Sequence, residues 1–303
     1  MLPGLQRLRV TLAQHSKAGF GETPGSAEST GPARCRGMVA PVNTRPTSPT
    51  GPVAASSAGA APAHGHATPH RTVRVWDLPT RIFHWLLALT VLGSLITGSI
   101  GGNAMPWHFR LGLLALGLLV FRLMWGIVGG RWSRFASFIY APGTVWRYLR
   151  GAQRPGEHLD VGHNPLGAAS VFAMLAILIV QVGTGLVGDD EIANVGPLNK
   201  FVASATGLAA TAWHKNYGKT IIITLLVLHI AAIAYYWLRK KVDLVGPMLS
   251  GDKTLPAGGP ADAPAQVRAD VPASRDDART RLLALALALA AAGLVAWVMR
   301  LGG

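Results

Sequence analysis

Residues 82–100 read IFHWLLALTVLGSLITGSI, a stretch without a charged side chain and with a single histidine, His84, at its third position. A helix of that length rises roughly 28 Å at 1.5 Å per residue, close to the ~30 Å hydrocarbon core of a bilayer. The run is unbroken rather than alternating, which argues against a barrel strand. Asp77-Leu78-Pro79 leads into it, and Pro79 suits the first turn of a helix. Four runs of the same kind follow at 111–128, 166–187, 220–238 and 282–299, the second of these opened by Asn164 as N-cap and Pro165. Trp76, Trp107, Trp132, Trp213, Trp237 and Trp297 fall near run ends, as an interfacial aromatic belt would have them.

The composition agrees with this reading. Of 303 residues, 50% are hydrophobic and only 14% charged, where a soluble domain has about a quarter charged. A soluble domain and a wholly disordered chain are both excluded. One cysteine, Cys35, leaves no intrachain disulfide, cysteine-ligated zinc or all-cysteine iron–sulfur cluster. The net charge of +14 would suggest nucleic acid in a soluble protein, but in an apolar chain excess Lys and Arg marks the cytoplasmic flanks of membrane helices. The expected partner is therefore the lipid bilayer and no nucleic acid. The fold class is all-α: an integral membrane four-helix bundle with a fifth, C-terminal transmembrane helix.

Outside the runs the expectations are these. Residues 1–72, rich in Pro, Gly, Ala, Ser and Thr, form a disordered tail, with no apolar core of the kind a secretory signal needs and with Met38 as an alternative start. His64, His66 and His70 read as part of that tail rather than as a metal site. Residues 73–250 form the bundle, 251–278 a flexible cytoplasmic linker rich in Pro, Ala and Asp, and 279–303 the last helix.

Orientation follows from the loops. Arg131, Arg134, Arg147, Arg150 and Arg154 lie between runs two and three, Arg239, Lys240 and Lys241 follow run four, and Arg71, Arg74 and Arg81 precede or open run one. The loop between runs three and four holds Asp189, Asp190 and Glu191 against Lys200. The positive-inside rule then places the N-terminus in the cytoplasm and the C-terminus in the periplasm of a bacterial inner membrane.

Under that topology four histidines pair by depth. His84 begins run one on the inner side, and His108 precedes run two on the outer side. His214 lies at the outer end of run four, and His229, fifteen residues on, sits roughly 22 Å deeper and within roughly 60° of the same face. Ionisable residues at membrane depth mark functional sites. His84 with His229, and His108 with His214, make two stacked imidazole pairs, as two bis-histidine b haems require, with both axial positions filled and no place for oxygen or substrate. The expected role is electron transfer rather than catalysis. Each histidine alone would read as an interfacial or packing residue; it is the depth pairing that favours iron ligation.

The segments VRVWDLPTRIFHWLLALTVLGSLITG, WHFRLG and WHKN…LLVLHIAAIAYYWLRKK resemble the bacterial di-haem cytochrome b561 family, which includes the cytochrome b subunits of nickel–iron hydrogenases. The resemblance spans about residues 73–250. It implies two b haems that carry electrons across the inner membrane between the quinone pool and a periplasmic partner: a hydrogenase, a c-type cytochrome or another oxidoreductase subunit. By position His84, His108, His214 and His229 match the family's ligands. The spacing within the fourth helix is about one residue longer than the family's, which a π-bulge would absorb.

Other polar residues are candidates of a second rank. Arg122, fourteen residues after His108, lies about 40° round the same face and roughly 21 Å deeper, where it would meet a propionate of the inner haem or snorkel to the interface. Arg81 and Arg110, beside His84 and His108, are further propionate candidates. Gln181 reads as an interhelical hydrogen-bonding residue ahead of a quinone or haem contact; His158 and His163 read as solvated. Ala284, Ala288 and Ala292 give the fifth helix a small-residue face, for a partner subunit or as part of a lipid-facing anchor. The rival readings are a membrane anchor for a hydrogenase or reductase, its haems being secondary, and a histidine-based metal-ion transporter. The transporter reading lacks support from the repeats and mid-helix breaks common in that class.

Overall fold

A computed structural model of the chain describes residues 70–152, 159, 161–256 and 271–302. Of the expected disordered tail, 1–72, residues 1–69 with Cys35, His64 and His66 lie outside the described residues, as do Arg154, His158 and the greater part of the linker, 257–270, whereas residues 70–72 belong to a strand.

A short strand, β1 (His70–Arg74), leads into helix α1 (Leu78–Ile100). Asp77 caps α1, its carboxylate accepting from the Thr80 amide at 2.8 Å, and Pro79 occupies the first turn, where a missing N–H costs nothing. Helix α2 (Met105–Val128) returns, a short amphipathic helix α3 (Pro142–Leu149) follows, and α4 (Pro165–Val187) crosses again with Asn164 as its cap. Helix α5 (Ser204–Trp213) continues through a π turn at His214–Gly218 into α6 (Lys219–Tyr235), which ends in a second π turn at Tyr236–Lys240. Then come α7 (Val245–Ser250), a strand β2 (Asp252–Pro256) and the last helix α8 (Ala278–Gly302).

Five helical segments are long and apolar enough to cross a membrane: Leu78–Ile100, Gly102–Val128, Pro165–Val187, Ser204–Lys240 and Ala278–Gly302, with mean hydropathies of 1.6 to 2.5. They remain apolar on their outward faces. Ile127 is 73% exposed, Leu89 66% and Ile230 57%, surfaces that lipid rather than water would cover. The protein is an all-α, multi-pass membrane bundle.

Helix α2 is its centre. One side packs on α1 and α8 through Phe83, Phe121, Trp125, Ala284 and Ala291; the other packs on α4 and α6 through Leu119, Leu175, Leu178 and Ile222. Lipid tails are as apolar as leucine, so helices in a bilayer associate through close packing of small residues. That is visible where Gly117 faces Val295 and where Gly126 receives the ring of Phe135 at a distance no Cβ would allow. Of the small face expected on α8, only Ala284 is turned onto α2, joined there by Ala291, while Ala288 and Ala292 stay exposed along a groove between α1, α2 and α8. The proximal end, where α1 begins, is closed by Val75, Trp76, Trp132 and Val161.

Three expectations meet a different outcome here. Trp76 and Trp132 are buried in the proximal cluster rather than standing in an interfacial belt, whereas Trp107, Trp237 and Trp297 are outward. Residues 252–256 of the segment read as linker pair antiparallel with β1, from His70 opposite Pro256 to Arg74 opposite Asp252. Residues 271–276 are also fastened: the Ser274 amide donates to the Arg74 carbonyl at 2.7 Å, Trp132 Nε1 donates to the Pro272 carbonyl, and Asp276 pairs with Arg74 and Arg281. Low hydrophobicity in this stretch conceals long-range backbone pairing, which leaves no periodic trace in so short a strand.

Candidate functional site

At the distal end, where α1 ends and α2 begins, the structure brings His108 and His214 together. Their ring centroids are 5.9 Å apart and their planes stand at 87°. His108 Nδ1 meets the Ser94 carbonyl of α1 at 2.9 Å, and His214 Nδ1 meets the Gln181 carbonyl of α4 at 2.9 Å. A carbonyl oxygen only accepts, so in each ring Nδ1 carries the proton and Nε2 keeps its lone pair. Two imidazoles that share one metal from opposite sides, with metal–nitrogen bonds of about 2 Å, have centres roughly 6 Å apart. The observed separation fits that arrangement.

A cavity of about 180 Å³ surrounds the pair, bordered by Leu95, Phe109, Leu178, Gly185 and Ile222 among others. Gln181, the expected interhelical bridge, donates through Nε2 to the His214 carbonyl at 3.2 Å, and its Oε1 is buried without a partner above Gly218. The π turn starts at His214 itself. It takes up one residue, so that His229 follows as though fourteen α-helical steps away, about 40° from His214.

The acidic loop beyond this cavity is occupied with its own backbone. Asp190 accepts from the amides of Ile192, Ala193 and Asn194 and from the Asn194 side chain. The Asn194 side-chain amide foremost, then these backbone donors, hold its carboxyl well below the usual carboxylate range.

At the proximal level His84 and His229 lie within electrostatic reach of one another. The His84 Nδ1 is buried without a partner, so this ring lacks the carbonyl lock of the distal pair. Arg122 is 3% exposed and stacked 4.6 Å from the Phe135 ring, and its Nη1 likewise lacks a partner. A guanidinium in such surroundings calls for an anion. Arg81 donates to the Leu249 carbonyl, and its Nε is buried without a partner. Arg110 stacks on Trp107 at 4.8 Å and borders a different groove, between α1, α2 and α8, away from the distal histidines.

His163, expected in solvent, sits against Trp76 and Phe138 at 4.7 and 4.5 Å, with a buried and unpartnered Nδ1. Burial foremost, then Arg122 and the two histidines His84 and His229, push its imidazole down to about 3, so it is neutral. No local signal in the sequence marks this position, since Trp76 and Phe138 reach it from other parts of the chain. Among the described residues, no cluster of three or more His, Cys, Asp or Glu could hold a bare metal ion.

Comparison with known proteins gives a consistent result. Residues 75–251 match the family model described as prokaryotic cytochrome b561. A probable Ni/Fe-hydrogenase 1 B-type cytochrome subunit of Escherichia coli K12 is 28% identical over 141 residues, which cover 37% of this chain and 57% of the relative. The chain thus spans little more than half of that protein. Probable Ni/Fe-hydrogenase B-type cytochrome subunits of Rhizobium leguminosarum bv. viciae and Bradyrhizobium diazoefficiens are 25% and 23% identical. These matches cover 64% and 69% of this chain and 94% and 96% of the relatives. No solved structure matches at a comparable level. With the family model covering more than half of the chain, and five membrane-crossing helices in the structure, the chain belongs to the prokaryotic cytochrome b561 family of membrane b-type cytochromes.

Proposed function

We propose that the chain holds two b haems, one between His108 and His214 and one between His84 and His229, and passes electrons across the membrane between them. The observation that carries this is the distal pair: two imidazoles at 5.9 Å whose Nδ1 atoms are committed to carbonyls, leaving both Nε2 atoms free. The proximal level supports the same reading through its unpartnered atoms. A propionate would satisfy Arg122, with Arg81 as a second candidate. Haem b held by these residues would supply one-electron chemistry. The chain's part is to fix the rings, to pair the propionates and to keep water from the metal; it transfers electrons and catalyses no bond change of its own.

The names of the relatives favour a hydrogenase as partner. The arginines flanking α3 and the lysines after α6 stand at the proximal end, which supports a cytoplasmic proximal end in a bacterial inner membrane, the distal end facing the periplasm. Electrons would then run between a periplasmic partner at the distal haem and the quinone pool. A c-type cytochrome or another oxidoreductase subunit would fill the same role on the distal side. No observation favours the metal-ion carrier.

The test is pyridine-haemochrome quantitation with reduced-minus-oxidised spectra of the purified protein. Two low-spin haems per chain are expected. His229→Leu should remove one and His108→Leu the other. One haem in the unaltered protein, or the same haem lost in both variants, would sink the assignment.

A further inference from the structure

Helix α1 contains Ser94-Leu95-Ile96-Thr97-Gly98, and α4 contains Gln181-Val182-Gly183-Thr184-Gly185. The two segments do the same thing. The carbonyl of the first residue, Ser94 or Gln181, receives Nδ1–H of His108 or His214, both at 2.9 Å. The fifth residue is glycine, directly beneath that imidazole. A Cβ on Gly98 would lie 2.9 Å from His108 Nδ1 and Cε1, and one on Gly185 would lie 3.1 Å from His214 Cε1.

The reason for this pattern is local. A helical carbonyl already accepts from the amide four residues on, and it has a second lone pair. A side chain at that fourth position normally screens it. Glycine leaves it open, at the cost of helix propensity. The threonine before each glycine bonds back to the carbonyl four residues earlier: Thr97 to Gly93 at 2.7 Å and Thr184 to Val180 at 2.9 Å. This is the bond that tilts and bends a helix. Thr184 Oγ1 also comes within 3.3 Å of His214 Nδ1.

We infer that Ser94 with Gly98, and Gln181 with Gly185, are matched notches that position the two distal imidazoles, each fixing one ring's tautomer and plane. The inference rests on the reading of His108 and His214 as a haem pair. Each helical hairpin builds its own half: α1 serves the histidine of α2, and α4 serves the histidine that opens the π turn between α5 and α6. The product is the right angle between the rings. Imidazoles in perpendicular planes donate into different iron d orbitals, which then stay close in energy and give a strongly axial ferric low-spin spectrum. Ring orientation and hydrogen bonding to the ligand are among the protein's levers on such a metal.

The experiment uses the full-length, haem-loaded protein carrying Gly98→Ala, Gly185→Ala, Thr184→Val or the control Gly183→Ala, which faces open space. Readouts are haem content, ferric low-spin resonance and midpoint potential of each haem. Gly98→Ala and Gly185→Ala should at least halve the distal haem or render its resonance rhombic, with the proximal haem unchanged and so reporting an intact fold. Thr184→Val, which keeps shape, should retain the haem and shift its potential, and Gly183→Ala should change nothing. The inference is overturned if both alanine variants match the control, or if they disturb the proximal haem equally. A failure of the underlying reading is separate: His108→Leu would then remove no haem at all.

Discussion

Trp125 Nε1 donates to the Asp77 carboxylate at 3.2 Å, joining the last turn of α2 to the cap of α1. Asp77 is fully buried and also accepts from Thr80 N and Ser133 Oγ. Asp77→Ala removes a cap worth about 1 kcal/mol and strands buried donors that cost about 1–3 kcal/mol. A loss of about 2–4 kcal/mol is expected in reversible detergent–denaturant unfolding, with Asp77→Asn losing less because an acceptor remains.

Arg122 offers a test of the proximal level. On the proposed pairing of Arg122 with a propionate, Arg122→Gln leaves one buried charge without its counterpart, an effect of about 2 kcal/mol or more. The proximal haem should therefore dissociate at least tenfold faster in Arg122→Gln than in the unaltered protein, measured by transfer to a haem scavenger, while the distal haem is unaffected. Arg122→Lys should fall between, since an ammonium keeps the charge without the planar stacking on Phe135.

The fifth span is held where the small residues Ala284 and Ala291 of α8 meet Phe83, Phe121 and Trp125 of α1 and α2. Replacing Ala291, 2% exposed against α2, by leucine overpacks the interface, at a cost of about 1–3 kcal/mol. Limited proteolysis should release the α8 segment sooner from Ala291→Leu than from Leu289→Ala, whose side chain points outward.

The distal loop should be indifferent to pH until strongly acid conditions. The folded carboxyl of Asp190 titrates below its ordinary value of 3.8, so its contribution is complete above that value and lost only as pH falls through the lower, folded one. Corrected for intrinsic rates, amide exchange at Ile192, Ala193 and Asn194 should be alike at pH 5 and pH 7, and faster at both in Asp190→Ala. Exchange that already quickens between pH 7 and 5 would contradict the assignment of these bonds.

Much of the bundle was legible because lipid imposes one pattern on every span, and Pro79 and the Asn164 cap are local signals. The pairing of His108 with His214 followed from depth alone. The extra residue before His229 could be counted in the chain, and the π turn at His214–Gly218 is where the structure places it. What could not be read depended on contacts distant in sequence: the β1–β2 pair, the packing of His163 against Trp76 and Phe138, and the turning of Arg110 away from His108. Polar residues near a span have several neighbours to choose from, and periodicity does not say which they take.

The fastening of Arg74 to Asp276, and of its carbonyl to Ser274, has a consequence for how the chain is made. The partners of the first span's leading edge are encoded some two hundred residues later, so a ribosome delivers them last. Until α8 emerges, the Phe83 and Phe121 face of the nascent bundle stays open to lipid, and the early helices wait in the bilayer as an unlatched set. Truncation before residue 271 should therefore leave four inserted spans whose first crossing is vulnerable to quality-control proteases, rather than a smaller finished protein.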